Sequence, residues 1–221
     1  MLPVTRSRKK RRRGFLFVFE GIDGAGKTAV CNRVAVLLRQ AGFDVVQLHE
    51  PTSESRWGQE IRERSQKGEL TPAEELELFL RDREWHVENR IRPALSEGKL
   101  VLMDRYFFAS GAYQTTSTGI DWRDILRRNR EEIKAPEPDL VFLLDISAEE
   151  GLNRVGVRSD QKNKQFEQLD RLVRVRQAYL EMVAHDSGHF HMVDARQSLD
   201  SVVEVVYTAI DEFMKRPPVR L

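Results

Sequence analysis

Gly21-Ile22-Asp23-Gly24-Ala25-Gly26-Lys27-Thr28 are the residues whose types and spacing speak most directly of chemistry. They fit the pattern G-x-x-x-x-G-K-[ST], in which glycines let backbone N–H groups approach phosphate oxygens and a following helix N-terminus adds partial positive charge. In such a loop Lys27 bridges the β and γ phosphates and the Thr28 hydroxyl binds Mg²⁺, so ATP and Mg²⁺ are implied. A dinucleotide-binding loop fits badly, because the glycines run G-x-x-G-x-G and a Lys-Thr pair has no role in it. Asp104 and Arg105 close a later apolar run. There the carboxylate can hold a Mg²⁺-bound water, and the guanidinium can neutralise a phosphate as charge spreads in transfer. Asp145 ends a similar run without a companion motif and reads as structural.

These groups need a scaffold that brings loop and strand ends together. Gly14 to Glu20 is a continuous apolar run, as expected of a strand buried on both faces of a parallel sheet. Lys27 to Ala41 carries Val30, Val34, Leu37 and Leu38 at helical spacing and stops at Gly42. Val45 to Leu48 is a second strand, and Gln59 to Gln66 a short helix. Thr71 with Glu74 forms a capping box, with Pro72 at the first helical position, and opens a helix to about Asn89. Leu100 to Asp104 and Asp139 to Asp145 are the third and fourth strands, with the segment Tyr106 to Gln114 and the helix Asp121 to Glu132 between them. Helices Ala148 to Arg158 and Phe166 to Ala184, a fifth strand Phe190 to Val193, and an amphipathic helix Leu199 to Phe213 complete the chain. Strands alternating with helices predict an α/β fold, a five-stranded parallel sheet with helices on both faces and right-handed crossovers.

Composition narrows the class further. Residues 1–13 hold seven basic side chains and no acid, leaving 29 Lys and Arg against 35 Asp and Glu in the rest. The predicted domain, 14–221, is thus mildly acidic, which argues against a nucleic-acid-binding face. Only the basic tail, expected to be solvated and disordered, retains a chance of touching nucleic acid. No apolar run approaches the roughly 20 residues of a membrane-spanning helix. The basic start leads into Gly14 without a signal-like apolar stretch, so the expectation is a cytoplasmic protein with no membrane partner. Cys31 is the only cysteine and is expected to be a buried thiol.

Several segments in order carry a resemblance. Phe19-Glu20 before the loop, Glu50-Pro51, Leu78-Phe79-Leu80-Arg81-Asp82-Arg83, Asp104-Arg105-Tyr106 and Ala112-Tyr113-Gln114 together resemble bacterial thymidylate kinases over roughly residues 14 to 214. That resemblance implies transfer of the γ-phosphoryl of ATP to dTMP, by a homodimer. It further implies that Asp23 meets the sugar 3′-hydroxyl, Phe79 stacks on thymine, Arg83 binds the base edge and Arg105 grips the acceptor phosphate. Ser110, Tyr113 and Gln114 would line the sugar and base. Phe79 and Arg83, four apart on a predicted helix, share a face, which agrees with these roles.

Kinases of this kind that lack an arginine in the phosphate loop supply one from a basic lid, here the segment at about 154–165 with Arg154 and Arg158. Where the family usually has Arg before Glu50-Pro51 this chain has His49, a weaker and pH-dependent phosphate partner. The lid also lacks the usual Asp-Arg-Ile-Glu pattern. Two rival readings follow from these departures: a kinase for another nucleoside monophosphate or small acceptor, and a nucleotide-binding homologue with weak or no transferase activity.

Overall fold

The five apolar runs become five strands: β1 (Phe15–Glu20), β2 (Val45–His49), β3 (Leu100–Asp104), β4 (Leu140–Asp145) and β5 (Phe190–Asp194). The computed structural model describes residues 13–65, 67–156, 162–186 and 190–215. All strand pairings are parallel and the order is β2-β3-β1-β4-β5. β1 lies at the centre, and its residues from Leu16 to Glu20 are all buried. Such burial on both faces is what its unbroken apolar run foretold.

The helices are α1 (Lys27–Gln40), α2 (Arg56–Ser65), α3 (Pro72–His86), α4 (Arg92–Ser96), α5 (Phe107–Thr118), α6 (Trp122–Arg127), α7 (Ala148–Val155), α8 (Lys162–His185) and α9 (Leu199–Lys215). α1 packs on α9, while α5 packs on α3, α6 and α8. The chain leaves β1 toward β2 on one side and leaves β3 toward β4 on the other. The C-terminal ends of β1 and β3 therefore open the crevice where ligands of such sheets bind. Register sets Phe19 beside Asp104 and Asp104 beside His49, so the loop after β1 faces both strand-end residues.

Several boundaries differ from expectation: α5 runs on to Thr118, α6 stops at Arg127 and gives way to a π-turn at Arg128–Glu132, and α8 starts at Lys162 rather than Phe166. α2 begins at Arg56 because the Ser55 hydroxyl accepts the Gly58 N–H at 2.9 Å and caps the helix three residues early. The helix expected to stop near Asn89 widens into a π-turn, Val87–Ile91, and continues as α4. Pro93 then falls in the first turn of α4, where its missing N–H is harmless. α7 ends at Val155, with Gly156 in the left-handed region at φ 71°. Arg13, counted with the tail, is tied instead to the domain: its guanidinium pairs with Asp139 at 2.5 Å. The capping box at Thr71 and Glu74 is present as expected.

Candidate active site

The phosphate-binding pattern sits where β1 ends and α1 begins. Gly26 takes the N-cap position of α1 at φ 89°, and no side chain caps the helix. Its first-turn N–H groups are thus available to an anion. Gly24, at φ 85°, lies against α7: a Cβ there would come within 2.2 Å of the Gly151 carbonyl oxygen. Ile22 and Ala25 bury their side chains in the core, so they serve the loop through their backbone. The Lys27 ammonium donates to the carbonyls of Gly21 (3.0 Å) and Ile22 (2.8 Å), curled back into the loop. Burial, then the nearby Arg105 cation, lower its pKa to about 7, against the pull of Asp23, Asp104 and Glu20.

Thr28 donates its hydroxyl hydrogen to the Asp104 carboxylate. A hydroxyl and a carboxylate in contact suit Mg²⁺, which takes hard oxygen ligands, few of them from protein, and keeps waters and phosphate oxygens for the rest. Arg105 follows directly with a left-handed backbone, φ 66°, and its N–H donates to the Phe19 carbonyl at 3.1 Å. Its guanidinium pairs with Asp23 and lies 4.9 Å from the centre of the Tyr113 ring.

A cavity of about 750 Å³ opens over this loop, lined by Asp23, Gly24, Gly26, Lys27, Thr28, His49, Arg62, Asp104, Arg105 and Arg154 among others. Arg154, on α7, donates to the Ala195 carbonyl at 2.9 Å and pairs with Glu150 at 2.8 Å. Arg158 lies outside the described residues. His49 is exposed at the end of β2. Partial burial and the Arg62 cation lower its pKa, which leaves the imidazole neutral at pH about 7.

A second pocket, of about 140 Å³, is lined by Phe79, Arg83, Ser110, Tyr113 and Gln114, together with Glu50, Pro51 and Arg105, which also line the first. Sequence reasoning placed these residues on separate segments, and the fold brings them to one hollow. Phe79 is half-buried and faces it with Arg83 from the same helix face. Arg83 is only 1% exposed and is held from three sides. Its Nε and Nη2 donate to Glu50 Oε2 at 2.8 and 2.5 Å, Nη1 to Asn129 Oδ1 at 2.8 Å, and Nη2 to Ser110 Oγ at 3.1 Å. His86 Nδ1 completes the set at 3.1 Å from Glu50 Oε1. Burial alone would raise the Glu50 pKa, but Arg83 and His86 overcome it and hold the carboxyl below its usual range.

Sequence reasoning missed His86, Asp82, Arg62, Arg171 and Glu20. His86 stands three residues after Arg83 on one helix, a spacing that could have revealed it. Asp82 is buried and accepts the Thr52 N–H (2.8 Å), the Thr52 hydroxyl (2.6 Å) and the Ser55 hydroxyl (2.5 Å), which fastens the segment after the cis Glu50–Pro51 peptide to α3. Arg62 caps the carbonyls of Pro51 and Thr52, and Arg171 of α8 lies 5.8 Å over the Tyr113 ring at the second pocket. No local pattern announced either. Asp145, read as structural, is paired with Arg176 at 2.7 and 2.8 Å. Cys31 is buried and its thiol is pushed up to about 12, by burial first and Asp104 second.

Comparison with known proteins adds an independent line. The family model described as thymidylate kinase matches residues 19–206. The chain is 44% identical over 199 residues to a probable thymidylate kinase of Archaeoglobus fulgidus, covering 90% of this chain and 96% of that one. It is 41% identical over 197 residues to a thymidylate kinase of Xanthomonas euvesicatoria, covering 89% and 83% of the two chains. A Desulfotalea psychrophila thymidylate kinase is 37% identical over 203 residues, covering 91% and 96%.

Proposed function

The chain belongs to the thymidylate kinase family, and from that premise we propose how its two cavities divide the transfer of the γ-phosphoryl of ATP to dTMP. The larger cavity takes the nucleotide donor and the smaller pocket the acceptor. The observation that carries this division is Arg105, which lines both and so stands where the two substrates meet.

On the donor side the uncapped start of α1 receives phosphate oxygens, and Lys27 leaves its two loop carbonyls to bridge them. Thr28 and Asp104 would hold Mg²⁺, which neutralises charge on the phosphate chain when bound. On the acceptor side Phe79 offers a ring face to the base and Arg83 a donor at its edge, with Ser110, Tyr113 and Gln114 around them. Asp23, exposed and paired with Arg105, can exchange that partner for the sugar hydroxyl. The acceptor phosphate is already an anion, so no base is required, and catalysis consists of positioning and electrostatic stabilisation. Arg105 faces the acceptor phosphate, while Arg154, which lines the larger cavity, and Arg158 of the same lid segment would supply positive charge to the donor. Glu50 acts by fixing Arg83, since both its oxygens are engaged within the protein.

The same reading takes residues 14–221 as one kinase domain and the protein as a cytoplasmic homodimer; support comes from family resemblance. Among the described residues no helix is long and apolar enough to cross a membrane. Light scattering on the purified protein tests the dimer. A coupled assay for ADP release across dTMP, dUMP, dCMP and dGMP tests the acceptor. Turnover should be greatest with dTMP. Preference for another acceptor would install the first rival, and ATP binding without ADP release from any acceptor would install the second.

A further inference from the structure

Glu20 is fully buried at the end of β1, and the transfer scheme above gives it no part. Its carboxylate nevertheless gathers donors from two other elements. Oε1 accepts the Tyr106 N–H at 2.8 Å and the Ala109 N–H at 3.2 Å; Oε2 accepts the Tyr179 hydroxyl of α8 at 2.8 Å. Helix α5 has no cap of its own, because Tyr106 stands at its N-cap position without a capping side chain. The missing cap is supplied by a residue 86 positions earlier in the chain.

Arg105 sits between two anchors. Its own N–H is bound to the Phe19 carbonyl and the next N–H to the Glu20 carboxylate, consecutive residues of β1. A left-handed backbone is unfavourable for arginine and persists only where its surroundings enforce it. We propose that Glu20 is a positioning residue for Arg105: by capping α5 from β1 and binding Tyr179, it fixes where the Arg105 guanidinium stands between donor and acceptor.

The charged and titratable groups around Glu20 are Arg105 before α5, Lys27 of α1 and Tyr179 of α8. Burial pushes its pKa up to about 7, against the pull of the Tyr179 hydroxyl, Arg105, the Tyr106 N–H and Lys27. A carboxylate kept in place at such a desolvation cost is serving its hydrogen bonds rather than packing.

The proposal rests on the reading of Arg105 as the cation of the transfer, and the experiment separates the two. Glu20→Gln, Tyr179→Phe, Arg105→Lys and their pairwise combinations are compared by steady-state kinetics, binding of a fluorescent ATP analogue and thermal unfolding. Glu20→Gln should keep ATP-analogue affinity within about twofold and lower kcat about tenfold or more, a split that general damage would not produce. Tyr179→Phe should lower kcat about threefold. In the Arg105→Lys background neither change should cost anything further, because both act through Arg105.

Losses that simply multiply in the combined variants, or normal turnover by Glu20→Gln, would overturn the proposal. Should Glu20→Gln fail to fold, the Tyr179→Phe and Arg105→Lys pair decides by the same non-additivity. If Arg105→Lys itself turns over normally, the reading of Arg105 falls first. If Arg105→Lys is crippled and Glu20→Gln is not, only the Glu20 proposal falls.

Discussion

The floor of the donor cavity is made from one contiguous stretch, Gly21 to Thr28, acting mainly through its backbone, whereas the acceptor pocket is assembled from side chains of α3, α5, α8 and the turn after β2. On the proposed division the first surrounds a phosphate chain, the same in every nucleoside triphosphate. The second must distinguish one base and sugar from others. Backbone N–H groups and one lysine suffice for the general task; the particular one requires buried, mutually oriented polar groups, with the ion pair of Arg83 and Glu50 at their centre. The donor floor should therefore fail chemically and keep its fold, while the acceptor pocket should fail in both respects.

Removing Lys27 makes the sharpest test. Lys27→Ala should lower kcat by about a thousandfold or more, since it deletes a cation from the transferring group, and circular dichroism should show an unchanged fold. If unfolding accompanied the loss, the contrast would break.

Arg83→Met probes the other side. It leaves the Glu50 carboxylate buried with His86 alone, and chemical denaturation should record a loss of about 3–5 kcal/mol. Activity should fall through a raised KM for dTMP more than through kcat. Adding Glu50→Gln should restore part of the stability and none of the dTMP affinity.

A smaller effect distinguishes the resting states of the two charged centres. Lys27 titrates at about 7 in the free protein, depressed by burial and by Arg105. A polyphosphate raises that pKa again, so ATP binding at about pH 8 should take up a fraction of a proton. Calorimetry in buffers of different ionisation enthalpy measures it, and Lys27→Met should abolish the uptake.

The smallest expected effect lies at the border of the two. Because the His49 pKa is lowered, its imidazole is neutral at and above pH about 7, and protonation belongs to more acid solution. His49→Gln should leave KM for dTMP within about twofold of the parent between about pH 7 and 9, with any divergence confined to more acid solution. A large change at pH about 8 would restore His49 as a phosphate ligand in its own right.

The same contrast explains what the sequence disclosed. The strands were legible as apolar runs, and the loop as a pattern, because their determinants lie within a few consecutive residues. Phe79 and Arg83 were legible through helical spacing combined with resemblance. Glu20, Asp82 and Asn129 were not, because the contacts by which they order the site reach partners 27 to 159 positions away, which only the tertiary fold makes neighbours. The widened turn before Pro93 escaped notice because proline in a helical stretch ordinarily signals an end. His86 was overlooked because its partner, Glu50, stands 36 positions away in the chain.

The contact between Gly24 and Gly151 bears on the routes by which this sequence can drift. A side chain at position 24 would drive its first carbon into the Gly151 carbonyl, and one at position 151 would meet the Asp23 carbonyl at 2.5 Å. The obstacle in both directions is main chain, which no neighbouring substitution can trim away. An arginine cannot arise at Gly24 by a single replacement, nor by a compensating one at Gly151, without α7 first withdrawing from the loop. Position 24 is therefore closed to an extra cation for as long as α7 lies against the loop. The backbone contact acts as a historical ratchet that preserves one division of labour among its arginines.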